Sequence, residues 1–413
     1  MQMMSFALCL ALGASACSDD GAAVEPPVCT EFSLDQTFEL VQATTGTQIH
    51  LDAALGKDRL WLAYNMVGTG SDFDVFLSAI SCAGKPLGAP IRVTTRTGRN
   101  NTDPVLRISK EAIFVVWSSD NHGGGASNLD IVYRTFNPDG SPRMAAEHDL
   151  ETRYQGKAVT GNHWLPNAVL VDDRTLAIAG VRGIVDAPSF QTFAQRIDVD
   201  GELVGEAVSL KVESDHAHGY PDIGKDAAGR LYVGWERSKA PDYKPTLLAQ
   251  ARLDPAFTLL DAEPQNLLGG AQQADKPRYG RRQRVQDPQL LTFHDPLDNR
   301  IVLMDAEKPQ VTPLRVGSTG QLHQGSAVSS HDGRGLLAWH QVVQGIISKT
   351  VVQGFSYDGS SFVADAEQVL SEEALPYGPT VLHVANDTYF VGWTATTSAD
   401  RRALGRFIAL SPR

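Results

Sequence analysis

The feature that most constrains the fold of this chain is a strand–turn–strand pattern that ends in an aromatic residue and recurs along its length. In the clearest copy a Gly-containing turn joins two apolar segments, and Pro221 precedes Trp235 by fourteen positions. Pro379 precedes Trp393 by the same interval. Seven copies follow this spacing, with thirteen positions instead of fourteen between Pro104 and Trp117, and the mean repeat is about 55 residues. Repeats of this length with several strands each predict a propeller or a similar array.

Each copy has a position in its first strand, which we call the ruler position, and an anchor at the end of its second strand. The expected ruler positions are His50, Pro104, Pro166, Pro221, Gly280, Gly325 and Pro379. The expected anchors are Tyr64, Trp117, Gly180, Trp235, His294, Trp339 and Trp393. The sequence therefore predicts an all-β chain that folds into a single seven-bladed β-propeller of four-stranded antiparallel blades. Six or eight blades are the alternatives, because the third and fifth copies are degenerate.

The second half of several copies contains a turn with the sequence Asp-Gly, as at Asp139-Gly140, Asp200-Gly201 and Asp358-Gly359. This pair supplies the positive φ angles that a tight hairpin requires. The unit resembles bacterial extracellular repeats related to sialidase-type propellers, over roughly residues 47 to 413. The Asp-box of that group, Ser-x-Asp-x-Gly-x-x-Trp, is absent, and Ser356-Tyr-Asp358-Gly is its nearest approach. The resemblance therefore concerns the fold and not an activity.

Residues 1–17 are predicted to be a lipoprotein signal peptide. A short apolar run leads into Gly13-Ala-Ser-Ala-Cys17, which resembles the bacterial lipobox. The resemblance implies that Cys17 is lipidated and becomes the mature N terminus, and Ser18 after it resembles the pattern that sorts lipoproteins to the outer membrane. The alternative is an ordinary signal that is cleaved after Ala16. We expect a protein of the cell envelope that contacts the membrane through its lipid only, or otherwise a secreted one.

Residues 18–28 are small, acidic and Pro-bearing, and we expect them to form a disordered tether ahead of a propeller domain at 29–413. The formal net charge of the chain is −12. Nucleic-acid binding depends on neutralising phosphates with Lys and Arg, so an acidic chain is a poor candidate for it. We expect a monomer whose partners are a glycan or a protein.

The last copy ends after only three predicted strands. These are Thr380–Val384, Tyr389–Trp393 and Leu404–Leu410. A spare strand at Thr30–Gln42 precedes the first copy and would complete the last blade, which leaves no unpaired edge. With Cys9 in the signal and Cys17 as the lipid site, Cys29 and Cys82 remain, and the closed ring would bring them together as a disulfide. Two separate buried thiols are the alternative.

We expect function on the face that carries the loops between second and third strands and the blade connections, because these loops are long and varied. Histidines and aromatic residues cluster near the ruler positions on that face. The histidines are His163, His216, His218 and His323, and the aromatic residues are Trp164, Tyr220, Tyr279 and Tyr377.

Two of these histidines, His163 and His218, stand three residues before a Pro in adjacent copies. This His-x-x-Pro start resembles repeats of certain propeller polysaccharide lyases. A His and a Tyr can act as base and acid in β-elimination at a uronate, which makes His163, His218 and Tyr220 catalytic candidates. The alternative is that the histidines pack beneath the loops.

Basic residues cluster at Arg278, Arg281, Arg282 and Arg284. Arg281 follows the expected ruler position of the fifth copy, so it is expected to share a channel cavity with His163 and His218. Arginine binds carboxylates and sulfates through a planar fork of donors, which predicts an anionic ligand such as an acidic sugar. The ligand-binding candidates are His163, Trp164, His218, Tyr220, Arg278, Arg281, His323 and Tyr377. The alternative for the arginines is internal pairing with Asp222 or Asp287.

His216 and His218 are the only tight pair of metal-ligand candidates, because alternate residues of a strand share one face. Loop carboxylates at Asp72, Asp74 and Asp120 are candidates for Ca²⁺, although no EF-hand pattern is present. No other cofactor is indicated. The leading hypothesis is a surface-exposed binding lipoprotein without catalysis. A carbohydrate-active enzyme, either a polysaccharide lyase or a glycoside hydrolase, is the second hypothesis, and a scaffold subunit of an envelope complex is the third.

Overall fold

The structure is a computed structural model, and most of its chain can be described. The described residues are 32–42, 49–67, 72–120, 129–154, 157–159, 163–183, 190–213, 215–239, 246–268, 275–282, 289–318, 321–344, 347–374, 378–397 and 400–411. Within these ranges the secondary structure is strand and turn, and no helix suitable for crossing a bilayer is found. The chain forms seven four-stranded antiparallel blades arranged as a propeller, as predicted.

The strands are numbered in chain order. The first fifteen are β1 (Thr37–Gln42), β2 (Leu51–Leu55), β3 (Leu60–Val67), β4 (Phe73–Ile80), β5 (Ile91–Arg92), β6 (Asn101–Ile108), β7 (Ile113–Asp120), β8 (Leu129–Phe136), β9 (His148–Asp149), β10 (Thr152–Tyr154), β11 (Lys157–Val159), β12 (His163–Leu170), β13 (Thr175–Gly183), β14 (Phe190–Asp198) and β15 (Leu203–Ser209). The remaining strands are β16 (His216–Lys225), β17 (Leu231–Lys239), β18 (Thr246–Leu253), β19 (Gln265–Asn266), β20 (Asp275–Tyr279), β21 (Arg281–Arg282), β22 (Leu290–Asp295), β23 (Arg300–Asp305), β24 (Leu314–Val316), β25 (His323–His331), β26 (Arg334–Gln344), β27 (Ile347–Tyr357), β28 (Phe362–Ala374), β29 (Thr380–Ala385), β30 (Thr388–Thr397) and β31 (Asp400–Ala409).

Six blades are built from consecutive segments of the chain. They are β2–β5, β6–β9, β12–β15, β16–β19, β20 with β22–β24, and β25–β28. Blade seven consists of β29, β30, β31 and the N-terminal strand β1, while β10 and β11 form a separate hairpin. The first strand of each blade faces the central channel, so residues on these strands define the channel wall.

Closure of the ring by the N-terminal strand is confirmed. β1 pairs antiparallel with β31, with Thr37 opposite Arg406 and Gln42 opposite Arg402. Apolar side chains of β1 share a core with blades seven and one, and the ring of Phe38 lies 5.5 Å from that of Phe407. The strand therefore joins the two ends of the chain and covers an edge that would otherwise be exposed.

The turn that contains Cys82 lies against the closing strand. Gly84 in this turn adopts a φ of 76°, and a Cβ at that position would lie 2.6 Å from the ring of Phe38. Cys82 is disulfide-bonded. Cys29, Cys9 and Cys17 lie outside the described residues, so the pairing of Cys82 with Cys29 stays a prediction.

The core is distributed between the blades, because each anchor packs against a neighbouring sheet. Trp117, Trp235, Trp339 and Trp393 are fully buried. Trp117 of blade two, for example, lies in one apolar cluster with Trp61 and Val75 of blade one. The large aromatic residue in the second strand of most blades therefore fills the space between sheets, which explains its recurrence in the sequence.

The pairing register corrects the ruler in three blades. In blade five Arg278 faces Thr292, which makes Pro277 the ruler position and Phe293 the anchor, instead of Gly280 and His294. In blade six Ser326, and not Gly325, faces Trp339. In blade one Leu51, and not His50, faces Tyr64. These shifts of one to three residues change which side chains occupy equivalent positions in successive blades. We call such a set of equivalent positions around the channel a column.

Blade five differs from the other blades in the connection between its first and second strands. Residues 280–289 connect its β20 to β22, and this connection includes β21. β21 pairs in parallel with β25, with Arg281 opposite Ser329 and Arg282 opposite Ser330. Since β25 is the innermost strand of blade six, the backbone of Arg281 lies on its channel-facing edge. Asp222 directly follows the ruler position of blade four. In blade five the equivalent residue is Arg278 and not Arg281.

Candidate functional site

One residue from each blade forms the rim of the central channel. We call this the rim position, and it directly precedes the ruler position that the register defines. The rim residues are His50, Asp103, Leu165, Tyr220, Lys276, Gly325 and Gly378. Apart from Lys276, whose side chain lies outside the described set, all of them line a cavity of about 410 Å³ at the mouth of the channel.

The backbone at the rim explains why these side chains face the cavity. The first strands of blades two to six each contain a register shift at this point. Asp103, Leu165 and Tyr220 have φ angles of 51°, 53° and 43°, in the left-handed region that side-chain-bearing residues rarely adopt. A bulge adds a residue to one strand and changes the side-chain alternation. The side chain of the rim residue therefore departs from the alternation that the preceding residues of the strand follow.

Two carboxylates in the cavity wall link neighbouring blades. Asp52 of blade one accepts hydrogen bonds from the backbone N–H of Leu106, at 2.9 Å, and from Nη1 of Arg107, at 3.0 Å. Asp222 of blade four accepts the backbone N–H of Tyr279 in blade five, at 2.7 Å. Burial raises the pKa of Asp222, against the opposing effect of the Arg278 charge. These interactions identify both carboxylates as structural links between blades.

Among the described residues of the cavity wall, Arg278 is the cation that is available to a ligand. Its guanidinium lines the cavity, and within the part of the chain that the structure describes it makes no hydrogen bond and no ion pair. The second guanidinium, that of Arg107, is paired with Asp52. Burial lowers the pKa of Arg107 to about 10, and the positive charge of Arg278 contributes to this shift. Of these two guanidiniums, that of Arg278 is therefore the one without an ion-pair partner in the described part of the chain.

A histidine and a carboxylate form a pair on the rim between blades one and two. Nδ1 of His50 lies 2.7 Å from Oδ1 of Asp103, and their side chains are 21% and 36% accessible. Burial by itself would raise the pKa of Asp103, but His50 and Arg278 hold it below its usual value. Tyr220 lines the same cavity from blade four. The mouth therefore combines an oriented imidazole, a phenol and a guanidinium.

The histidines that the sequence singled out do not line this cavity. His163 is buried, with Nδ1 3.6 Å from Oδ1 of Asp130. His218 is also buried, and its Nδ1 accepts the backbone N–H of Thr192 at 3.0 Å. The prediction that His163 and His218 share the channel cavity is therefore wrong, because both side chains are directed into the blades. Their role as catalytic residues is not supported.

Two further candidates, His323 and Trp164, also lie elsewhere. His323 accepts the indole N–H of Trp339 at 3.1 Å and is buried, and Trp164 packs against the ring of Phe190. Tyr377 lies outside the described residues, as does the side chain of Arg281. Of the predicted ligand-binding residues, the structure brings together Tyr220 and Arg278 in the cavity wall. It adds His50 and Asp103, which the sequence analysis missed.

The metal candidates belong to a hydrogen-bonded cluster. Nε2 of His218 lies 3.1 Å from Oε2 of Glu213, and its Nδ1 is occupied by the contact with Thr192. Arg237 donates to the same carboxylate at 2.7 Å, so a cation would compete with a guanidinium. Among the described residues no group of three metal-ligating side chains is found. Asp74, a calcium candidate, accepts hydrogen bonds from Arg92 and Thr94.

The sequence carried a signal for this cavity two positions after the histidines that were singled out. Residues three positions before the ruler position are buried hydrogen-bond partners of the anchors. The indole N–H of Trp117 donates to Asn101, and that of Trp339 donates to His323. The column one residue before the ruler holds the rim. Residues that directly precede the recurring prolines, such as Asp103 and Tyr220, would have indicated the cavity.

Comparison with known proteins identifies the fold. No protein-family model and no curated protein sequence matches the chain. The solved structure of the polysaccharide lyase Uly1 matches with a TM-score of 0.57 and 11% identity, covering 92% of this chain and 100% of the lyase. The α-L-arabinanase of Penicillium chrysogenum, complexed with arabinobiose, matches with a TM-score of 0.52 and 11% identity, over 79% of this chain and 99% of the enzyme.

A protein of unknown function from Dyadobacter fermentans also matches, with a TM-score of 0.52 and 10% identity, over 92% of this chain and 100% of its own. A neuraminidase-like protein of subtype N11 is similar at a TM-score of 0.44. At identities this low the likeness concerns the fold alone.

Proposed function

We propose that this protein is a lipid-anchored protein of the bacterial cell envelope whose propeller binds an acidic glycan at the channel mouth. The observation that carries the proposal is Arg278, which lines the cavity and whose guanidinium makes no hydrogen bond and no ion pair with a described residue, although its charge also acts on Asp103 and Asp222. Arginine matches the geometry of a carboxylate or sulfate through two parallel hydrogen bonds. Tyr220 in the same wall offers an apolar ring with a polar tip, which suits the mixed surface of a sugar.

The size of the cavity and the fold support a saccharide as the ligand. A volume of about 410 Å³ falls within the usual range for small-molecule sites. Two of the structural neighbours are, by name, a polysaccharide lyase and an arabinanase. The lipid anchor rests on the sequence resemblance at Cys17, which lies outside the described residues. It would hold the binding face near surface or periplasmic polysaccharides.

Calorimetric titration of the purified protein with galacturonate and with neutral galactose tests the proposal. We expect binding of galacturonate only, and weaker binding as salt rises, since added ions screen the attraction. Arg278→Gln should weaken it at least tenfold, which corresponds to about 1.4 kcal/mol. Arg174→Gln is the matched control, because Arg174 is an exposed arginine paired with Glu111. Equal binding of galactose, or unchanged affinity in Arg278→Gln, would contradict the proposal.

A polysaccharide lyase is the second candidate, and the His50–Asp103 pair favours it. An imidazole that donates Nδ1–H to a carboxylate carries its lone pair on Nε2, as a general base requires. In β-elimination His50 would remove the proton α to the uronate carboxylate. The bond from the β carbon to the glycosidic oxygen would break, Tyr220 would protonate that oxygen, and a carbon–carbon double bond would remain in the product.

The ultraviolet absorbance of this unsaturated product distinguishes the two candidates. With polygalacturonate as substrate, the lyase hypothesis expects the absorbance to rise and His50→Ala to abolish the rise. The control His148→Gln alters an exposed histidine far from the rim and should leave the rate unchanged. Binding of polygalacturonate without any rise in absorbance would contradict the lyase hypothesis and would agree with the binding function.

A further inference from the structure

The charges on the wall of the channel-mouth cavity do not balance. Among the described side chains, three carboxylates, two guanidiniums and one imidazole line it, and they belong to Asp52, Asp103, Asp222, Arg107, Arg278 and His50. With the carboxylates ionised and the imidazole neutral, three negative and two positive charges leave a net charge of −1. The count leaves out Lys276, whose side chain lies outside the described set. An acidic sugar would add a negative charge, so a proton gained by the wall would favour its binding.

The three carboxylates differ in their surroundings. Asp52 pairs with Arg107, and its side chain is 12% accessible. Asp222 is buried and accepts two backbone N–H groups. Asp103 lies on the rim, its ion-pair partner is His50, and its side chain is 36% accessible. Asp103 is therefore the most exposed of the three, and its negative charge lies at the mouth, where an anionic ligand enters.

His50 is the group of the wall that can gain this proton. Histidine is the side chain whose charge ordinarily changes between pH 5 and 8, and His50 is the one imidazole among the described residues of the wall. Its Nδ1 lies 2.7 Å from Oδ1 of Asp103. When Nδ1–H donates to this carboxylate, an added proton goes to Nε2, and the adjacent negative charge stabilises the imidazolium.

Arg278 links this proton to the ligand. Its positive charge and that of His50 both act on Asp103, so the two cations share one neighbourhood and repel each other. The other charges of the wall are the paired Asp52 and Arg107, together with Asp222 of blade four. A ligand carboxylate bound to Arg278 would neutralise the guanidinium and remove its repulsion of the imidazolium. Binding should therefore raise the affinity of His50 for a proton.

We infer that His50 takes up a proton when an acidic sugar binds, so that the site prefers acidic glycans at mildly acidic pH. The inference rests on the proposed function, in which Arg278 holds the ligand carboxylate. Coupling between two binding events is reciprocal, so protonation of His50 strengthens ligand binding by the factor by which the ligand strengthens protonation. Carboxylic acids ordinarily titrate near pH 4, so the ligand keeps its charge in this range. A protonated His50 is no general base, so the inference belongs to the binding function and not to the lyase.

Calorimetric titration with galacturonate measures the proton directly. At pH 6.5 the titration is made in bis-Tris and in MES buffer at equal ionic strength. Because the ionisation enthalpies of these buffers differ, proton uptake appears as a difference in the observed heat. We expect uptake of a proton and an affinity about tenfold higher at pH 5.5 than at pH 7.5. A circular dichroism spectrum at each pH checks that the fold is unchanged.

Two rim substitutions change the charge balance in different ways. His50→Gln removes the titrating group, so its binding heat should not depend on the buffer and its affinity should not depend on pH. Asp103→Asn removes one negative charge, and Asn tolerates the φ of 51° at this position. We expect it to bind galacturonate about threefold more tightly than the parent at pH 7.5, whereas a merely structural role of Asp103 predicts weaker binding. Asp58→Asn is the matched control, because Asp58 is an exposed carboxylate of blade one that pairs with Arg59.

Three results would overturn the inference. They are a parental binding heat that is the same in both buffers, proton uptake that persists in His50→Gln, and weaker binding by Asp103→Asn at pH 7.5. The variant Arg278→Gln separates the inference from the proposed function. If the parent does not bind galacturonate, or if Arg278→Gln binds it as tightly as the parent, both proposals fail. If Arg278→Gln weakens binding but no proton is taken up, the inference alone fails.

Discussion

The carboxylate of Asp222 in blade four accepts the backbone N–H of Tyr279 in blade five at 2.7 Å and that of Ile223 in its own strand at the same distance. Asp52 makes the corresponding contacts between blades one and two, with Leu106 and Ala53. A buried acceptor at this position therefore fixes the first strand of one blade against the next. The cavity wall depends on these links for its shape.

Removing the link should destabilise the ring. Asp222→Ala leaves two buried N–H groups without an acceptor, and we expect a loss of about 2–4 kcal/mol in the free energy of unfolding. Denaturant unfolding followed by tryptophan fluorescence measures it. Asp58→Ala is the control, because Asp58 is exposed and pairs with its neighbour Arg59, and it should change stability by about 0.5 kcal/mol or less. Similar midpoints for the two variants would contradict the role of Asp222.

Closure by β1 can be tested at two adjacent residues. Leu40 is buried in the core shared by blades seven and one, whereas Glu39 on the opposite face is exposed. We expect Leu40→Ala to cost about 2–4 kcal/mol through lost burial and a residual cavity, and Glu39→Ala to have little effect. Light scattering after mild heating should show aggregation of Leu40→Ala first, because a detached β1 exposes the edge of β31. Equal unfolding free energies and equal aggregation of the two variants would indicate that β1 contributes little to the stability of the ring.

Stability should fall in mild acid because of a buried histidine. Burial lowers the pKa of His340 to about 4 from an unfolded value of 6.5. Between these values the unfolded chain binds the proton and the folded chain does not, so stability is full above pH 6.5 and declines as the pH falls towards 4. The loss is up to about 3 kcal/mol.

Unfolding midpoints measured across this window check the expectation. His340→Phe should show a flatter pH dependence than the parent, whereas the exposed His148→Gln should retain the parental slope. The buried His218 and His323, whose pKa values burial also lowers, contribute to the slope that remains in His340→Phe. An unchanged slope in that variant would show that His340 does not carry the effect.

The disulfide of Cys82 should fasten the closing strand. We expect a non-reducing digest to yield one linked peptide pair that contains Cys82 and Cys29, because the turn around Cys82 packs against β1. Loss of the bridge in Cys82→Ser should cost about 2–5 kcal/mol. Recovery of Cys29 as a free thiol from exported protein would refute the pairing.

Attachment to the membrane should depend on one cysteine. Cys17→Ser removes the thiol that the lipobox-like sequence presents for lipidation, so we expect the variant to lose lipid labelling and to leave the membrane fraction. Cys9→Ser serves as the control, since it alters a thiol within the same predicted signal peptide. Retention of the Cys17→Ser protein in membranes, with labelling intact, would exclude this anchor.

The sequence by itself determined the architecture, because the features that produce a blade are local. Alternating apolar strands and Asp-Gly turns, with an aromatic residue such as Trp235 at a fixed distance from a proline, repeat with the blade. A missing fourth strand in the last copy and a spare strand before the first one required closure by β1. Arg278 and Tyr220 were also found, since a basic cluster and an aromatic residue beside a proline stand out in the sequence.

Only the tertiary structure decided which column of residues faces the channel. A one-residue difference in register moves a side chain to the other face of a strand, and the bulges at Asp103, Leu165 and Tyr220 introduce such a difference at the rim. For this reason His163 and His218 enter the blades, while His50 and Asp103 meet in the cavity. Residues on different blades are brought together only when the ring closes, and no local pattern in the chain records that contact.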